Sequence, residues 1–207
     1  MKVTPLHLFI DFEFTMPENR NYPKKFFPEI IEAGIVAVEK DKIIQQYSNY
    51  IRPSAFPTLT NRCKSFLNSS QRGVHNGASF VEWIDVLNSY NVQERGTVVT
   101  WGNMDMKVLR NNCEYHGVPF PLTCKHVDLS MEYKKFFGDQ NQTGLWKAVQ
   151  EYGKEGTGKH HRALDDALTT FNIFRLVEKD KSYLAKPEPT TIGDRIDLSK
   201  IINKYAL

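Results

Sequence analysis

The sequence predicts an α/β fold, three layers deep, with a central mixed β-sheet flanked by helices. Two observations predict it. Within the first fifty residues the apolar runs are short and strand-like, with one tight turn between the second and third. After residue 60, short β-branched runs alternate with longer segments of helical period. Strands that begin as a hairpin set and then alternate with helices make a mixed sheet covered by helices.

Each element has its own signal. Leu6 to Phe14 reads as a buried strand that ends in acids, and Ile30 to Val38 and Lys42 to Ile51 read as two more. The segment Glu39-Lys-Asp-Lys between these is a hairpin turn, which makes them antiparallel neighbours beside the first strand. Arg52-Pro-Ser-Ala-Phe-Pro closes the sheet run, because proline donates nothing to a ladder. Thr60 to Phe66 is a short capped helix and Ser79 to Leu87 an amphipathic one. Thr97-Val-Val-Thr-Trp is a strand, followed by Asn103 as a cap and Met104 to Glu114 as a helix. Lys125 to Leu129 is a further strand. Ser130–Phe137, Thr143–Tyr152 and Ala163–Val177 are helices that close the core. From Glu178 the chain turns charged and proline-bearing, so residues 1–180 are expected to form one domain and 181–207 a C-terminal extension.

Composition excludes more than it identifies. Hydrophobic residues at 41% and charged residues at 25% fit a globular domain and exclude a disordered chain. No apolar run approaches a membrane span, and the short apolar start, ending in Asp11, makes a poor signal peptide. Cys63, Cys113 and Cys124 are odd in number and lack CxxC spacing, which points to a reducing cytoplasm rather than a disulfide framework. The net charge of +3 decides little; nucleic-acid binding would use local clusters such as Lys24-Lys25, Arg62 with Lys64, Lys134-Lys135 and Lys159 to Arg162.

The acids carry the chemistry. Asp11 and Glu13, two apart on a strand, point to one face. Their flanks Phe9, Ile10, Phe12 and Phe14 imply burial, so the pair needs a proton or a cation. Asp105, in the first turn of its helix, either complements the helix dipole or supplies a third carboxylate. In His160-His161-Arg-Ala-Leu-Asp165-Asp166-Ala, Asp166 shares a face with Ala163, Ala167 and Thr170, small enough for close approach to the sheet. His161 then stands at the mouth, with His160 as its competitor and Asp165 as a first-turn surface acid. Gly153 to Lys159 satisfies GxxxxGK, but His160 stands where Ser or Thr should follow, and a helix precedes it where a strand is required. The segment reads instead as a flexible basic loop near substrate phosphates.

The order of these pieces is specific. Asp11-Phe-Glu-Phe-Thr, Pro28-Glu-Ile-Ile-Glu, Tyr50-Ile-Arg-Pro, Trp101-Gly-Asn-Met-Asp and Lys159-His-His-Arg-Ala-Leu-Asp-Asp-Ala resemble the DEDDh exonuclease superfamily, and within it the Eri-type branch, over about residues 6–178. The resemblance implies an RNase H-like exonuclease fold. It also implies a 3′–5′ exonuclease that releases nucleoside 5′-monophosphates from the 3′ end of single-stranded nucleic acid, RNA favoured over DNA. By the same resemblance Asp11, Glu13, Asp105 and Asp166 hold two divalent cations, Mg²⁺ or Mn²⁺, and His161 takes the proton of the attacking water. Thr15 falls at the position that binds the terminal 3′-OH. Phe12, Phe14 and Leu59 become substrate contacts, with core packing the role of at least one of the two phenylalanines. Some relatives carry Cys where this chain has Met16. Similarity to a bacterial member of the branch further implies a regulatory role in a sporulation kinase pathway, with a signalling protein partner bound through the C-terminal extension.

Overall fold

The structure is a computed structural model that describes residues 5–19, 25–67 and 70–185, apart from the side chains of residues 94 and 95. Lys24 and residues 186–207 of the expected extension lie outside the described residues. Strands β1 (Leu6–Phe14), β2 (Ile30–Glu39), β3 (Lys42–Tyr50), β4 (Gly96–Thr100) and β5 (Lys125–Asp128) form one sheet in the order β3-β2-β1-β4-β5. The β1–β2 and β2–β3 pairs are antiparallel, whereas β1–β4 and β4–β5 are parallel, so the sheet is mixed as expected. Lys40 and Asp41 turn the hairpin with φ of 50° and 61°, the left-handed pair that matches strand twist.

The helices are α1 (Asn61–Leu67), α2 (Gln71–His75), α3 (Phe80–Ser89), α4 (Val92–Arg95), α5 (Met104–His116), α6 (Leu129–Phe137), α7 (Leu145–Glu151) and α8 (Ala163–Leu184). Thr60 caps α1 by accepting the Cys63 N–H, and Ser79 and Glu82 form a capping box on α3. Asn103 precedes α5 without any side-chain cap bond, contrary to its expected role. The helices α2 and α4, of five and four residues, were not expected, since a helical period cannot be read from one turn. Helix α8 continues past Val177 to Leu184, because the charged residues there are good helix formers and the first breaker is Pro187. None of the helices among the described residues is long and apolar enough to cross a membrane.

Alternation along β1 divides the interior. Leu6, Leu8, Ile10 and Phe12 enter one core with Trp83, Ile84 and Leu87 of α3 and Val108 and Leu109 of α5. His7 and Phe9 face the opposite way, and the Phe9 ring meets Phe171 and Phe174 of α8 at 5.1 and 5.2 Å. Burying each such ring contributes about 1.5–3 kcal/mol. By period, Asp11 and Glu13 follow Phe9 onto the α8 side.

Two details of the sheet fix which backbone groups it leaves unpaired and how closely a helix can approach it. Strand β4 pairs with β1 only from Leu6 to Phe9, and β1 then runs on to Phe14 beyond the end of its neighbour. On the other side, Gly34 of β2 is the partner of Asp11, and a Cβ there would lie 2.1 Å from the carbonyl carbon of Ala163. Only glycine lets the first turn of α8 rest directly on the sheet at this point.

Candidate active site

Where β4 gives out, another group takes over its hydrogen bond. The backbone N–H of Phe12 donates to Oδ1 of Asp105 at 3.0 Å, so the first turn of α5 supplies a carboxylate between Asp11 and Glu13 in sequence register. Asp105 is therefore a backbone-bound acceptor, a role the sequence reading did not include, as well as an acid that lines the cleft. From the opposite side α8, seated on Gly34, brings in Asp166. Its Oδ1 accepts the indole N–H of Trp146 at 2.6 Å and its Oδ2 accepts the backbone N–H of His161 at 3.1 Å. Ligand atoms of Glu13, His161 and Asp166 all lie within 4.8 Å of one another. The cleft, about 290 Å³, gathers Asp11, Glu13, Asp105, Asp166, His160 and His161.

Crowding so many acids has a direct electrostatic result. Burial, then repulsion from Asp105, Glu13 and Asp166, holds Asp11 well above the usual carboxylate range. Burial and the neighbouring Asp166, Glu32 and Asp105 push Glu13 up to about 8. Burial pushes Asp105 up to about 7 against the opposing Phe12 N–H. Asp166 is also raised by burial, with the Trp146 hydrogen bond restraining it. Acids held this way either keep protons at neutral pH or take up positive charge. The carboxylate oxygens suit a hard divalent cation such as Mg²⁺ or Mn²⁺, so the residues present fit the cofactor expected.

His161 is shaped by backbone as much as by neighbours. Its φ of 61° lies in the left-handed region, where histidine is tolerated better than most side chains. Its ring lies 3.8 Å from His160 and 4.0 Å from the half-exposed Phe66, centroid to centroid. Burial, then the charge of His160, lowers its pKa below the ordinary 6.5, which favours the neutral imidazole.

Several functional neighbours escape the sequence reading. Glu32 lies directly across from Glu13 on β2, nearly fully buried, and Arg162 holds it at 3.0 Å. Trp146 bonds Asp166 and Gly34 receives the helix that carries it, but both sit far from it in sequence; an indole in a helix and a glycine in a strand give little local signal. Asp165 is a part-exposed acid in the first turn of α8, as expected, but it is also bonded. It accepts the Lys159 N–H at 2.8 Å, and its carboxylate fills the space beside Gly158, 2.2–2.4 Å from where a Cβ would stand. With Thr157 N–H also bonded to Thr169, the loop expected to be flexible is pinned to α8.

The expected substrate contacts separate into two places. Phe14 is half-buried and lines the acidic cleft. Phe12 also borders the cleft, but its ring is buried edge-on against Trp83 at 5.3 Å, so its side chain is a core residue and not a stacking surface. Thr15 and Leu59 line an adjoining cavity of about 260 Å³ with Phe26 and Phe56, and Met16 borders both cavities. The Thr15 hydroxyl accepts the Glu29 N–H at 2.9 Å, and Leu59 packs with Ile31, Cys63, Leu67 and Val74.

Comparison with known proteins matches the RNase_T family, described as exonuclease, over residues 8–174. The probable 3′-5′ exonuclease KapD of Bacillus subtilis is 55% identical over 197 residues, covering 95% of this chain and 96% of that protein. ERI1 exoribonuclease 2 of Xenopus laevis is 27% identical over 191 residues, 80% of this chain but 27% of that longer protein. Among solved structures, the nuclease domain of 3′hExo, a DEDDh family member bound to rAMP, superposes with a TM-score of 0.77. That match spans 86% of this chain and 94% of the other at 23% identity, which establishes the shared fold.

Proposed function

Because the chain belongs to the RNase_T exonuclease family, we propose that it is a metal-dependent 3′–5′ exonuclease of single-stranded nucleic acid, releasing nucleoside 5′-monophosphates. The observation that carries this reading is the convergence of Asp11, Glu13, Asp105 and Asp166 in one cleft beside His161. Asp11, Glu13 and Asp166 would hold one cation, and Asp11, with Asp105 through water, a second. Divalent cations held there would neutralise the acids and would supply charge to stabilise the attacking and leaving oxygens of an in-line displacement. The neutral His161 accepts the proton of the attacking water through a ring nitrogen. Asp166 orients it by taking the His161 backbone N–H, and the Phe66 and His160 rings limit its rotation. Phe14 borders the strand end, while Thr15 and Leu59 serve the terminal nucleotide from the adjoining cavity. RNA is the favoured substrate, a preference supported by the exoribonuclease relatives.

One assay tests the reading. Purified protein with Mn²⁺ or Mg²⁺ should shorten single strands of RNA from the 3′ end faster than matched DNA, and a chelator should stop both reactions. A wild-type protein inert on both would overturn the enzyme reading. The regulatory reading, in which the C-terminal extension docks a signalling protein, separates in the Asp11→Ala protein. Loss of nuclease activity with the kinase pathway still inhibited would make docking the basis of regulation.

A further inference from the structure

We propose that Trp146 is a positioning residue of the acidic centre: its indole N–H fixes Asp166 for a divalent cation, and its ring seats the loop that carries His161. The inference rests on the exonuclease reading and deepens it. Trp146 belongs to α7, an element that contributes none of the four acids, yet its Nε1–H reaches Oδ1 of Asp166 at 2.6 Å. An indole N–H donated to a carboxylate oxygen is charge-assisted once the acid is ionised, as it would be with a cation bound. Asp166 is 5% exposed, and its other oxygen takes the His161 N–H. Two of the roughly four lone-pair sites of the carboxylate are thereby used, which leaves the others for a cation.

The same ring does two further things. It fills the space beside Gly156, where a Cβ would stand 2.4 Å from the ring, and it tilts against His160 at 4.9 Å. One side chain thus touches an acid, the backbone of the loop and the ring stacked on His161. The choice of indole follows from its chemistry. A lysine or arginine would donate as well, but would cancel the negative charge that a cation needs. A glutamine or serine would bring an acceptor that could itself bind the cation. Indole is uncharged and donor-only, so it orients the carboxylate without competing for it. Asp165 supports the loop from beneath but makes no bond to Asp166 among those described.

The test compares Mn²⁺ binding by calorimetry for the full chain, Trp146→Phe, and protein carrying 3-benzothienylalanine at position 146. The last side chain keeps the shape of indole and lacks the N–H. Both variants are expected to bind Mn²⁺ about 10–100-fold more weakly, the usual effect of removing a hydrogen bond behind a metal ligand. The benzothienyl protein should keep the metal-free melting temperature of the wild type, and its nuclease rate should recover at saturating Mn²⁺. If it binds Mn²⁺ as tightly as wild type, Trp146 acts by packing alone and the proposal is overturned, whether or not the phenylalanine variant folds. Wild-type protein that binds no Mn²⁺ would overturn the exonuclease reading itself, a result distinct from equal binding by all three.

Discussion

Glu13 shows how a single side chain couples the cleft to the stability of the fold. Its pKa is raised from 4.5 to about 8, so between those values the folded protein keeps a proton that the unfolded chain has released. Stability from this group is therefore fully present below about 4.5 and is lost as the pH rises toward 8. Thermal melts of metal-free protein should show a falling melting temperature across that window, restored by Mn²⁺. Glu13→Gln should flatten the profile and raise the metal-free melting temperature at pH 8 while abolishing nuclease activity; an unchanged profile would refute the assignment. The two neighbouring aspartates should also separate. Asp166→Ala is expected to lose activity by at least about 10³-fold, whereas Asp165→Ala, which only loosens the loop, should cost no more than about 10²-fold. Asp11 and Glu13 were legible in the sequence because a period of two aims both one way. Glu32 and Trp146 were not, since a strand acid and a helix indole show their partners only when distant segments meet.

Among the elements, the contact of α8 with β2 is the most exacting. Gly34→Ala would put a methyl group 2.1 Å from backbone carbon of Ala163, and backbone cannot swing aside as a side chain can. The helix must shift, at a cost of about 1–3 kcal/mol in stability. Urea unfolding should record that loss, and Mn²⁺ titration should show weaker binding as Asp166 moves off the other acids. Unaltered Mn²⁺ affinity would mean that the seat of α8 does not set the site. The small residues of α8 were readable as permission for close approach; the glycine that receives them was not, because register is a property of two strands. The point at which β4 stops pairing with β1 was likewise invisible. Thr97 to Thr100 is a clear strand signal, but only pairing shows that it stops at Phe9 and leaves the Phe12 N–H for Asp105. The hairpin of β2 and β3 beside β1 and most helices followed from pattern alone, whereas the places of β4 and β5 in the sheet and the single-turn helices did not.

At the scale of the molecule, every described residue that lines the cleft precedes Ala167, and the family match ends at residue 174. Deleting residues 186–207 is therefore expected to leave 3′–5′ trimming of single-stranded RNA intact, measured as initial rate at saturating Mn²⁺. A large loss would assign those residues to catalysis rather than to a partner.

The seat of α8 on Gly34 also governs when, during synthesis, the acidic cleft can be assembled. Asp11 is synthesised well before Asp166, which falls near the end of the matched domain. A chain still emerging from the ribosome holds three of the four acids but no complete centre, until α8 has cleared the exit tunnel and closed on the sheet.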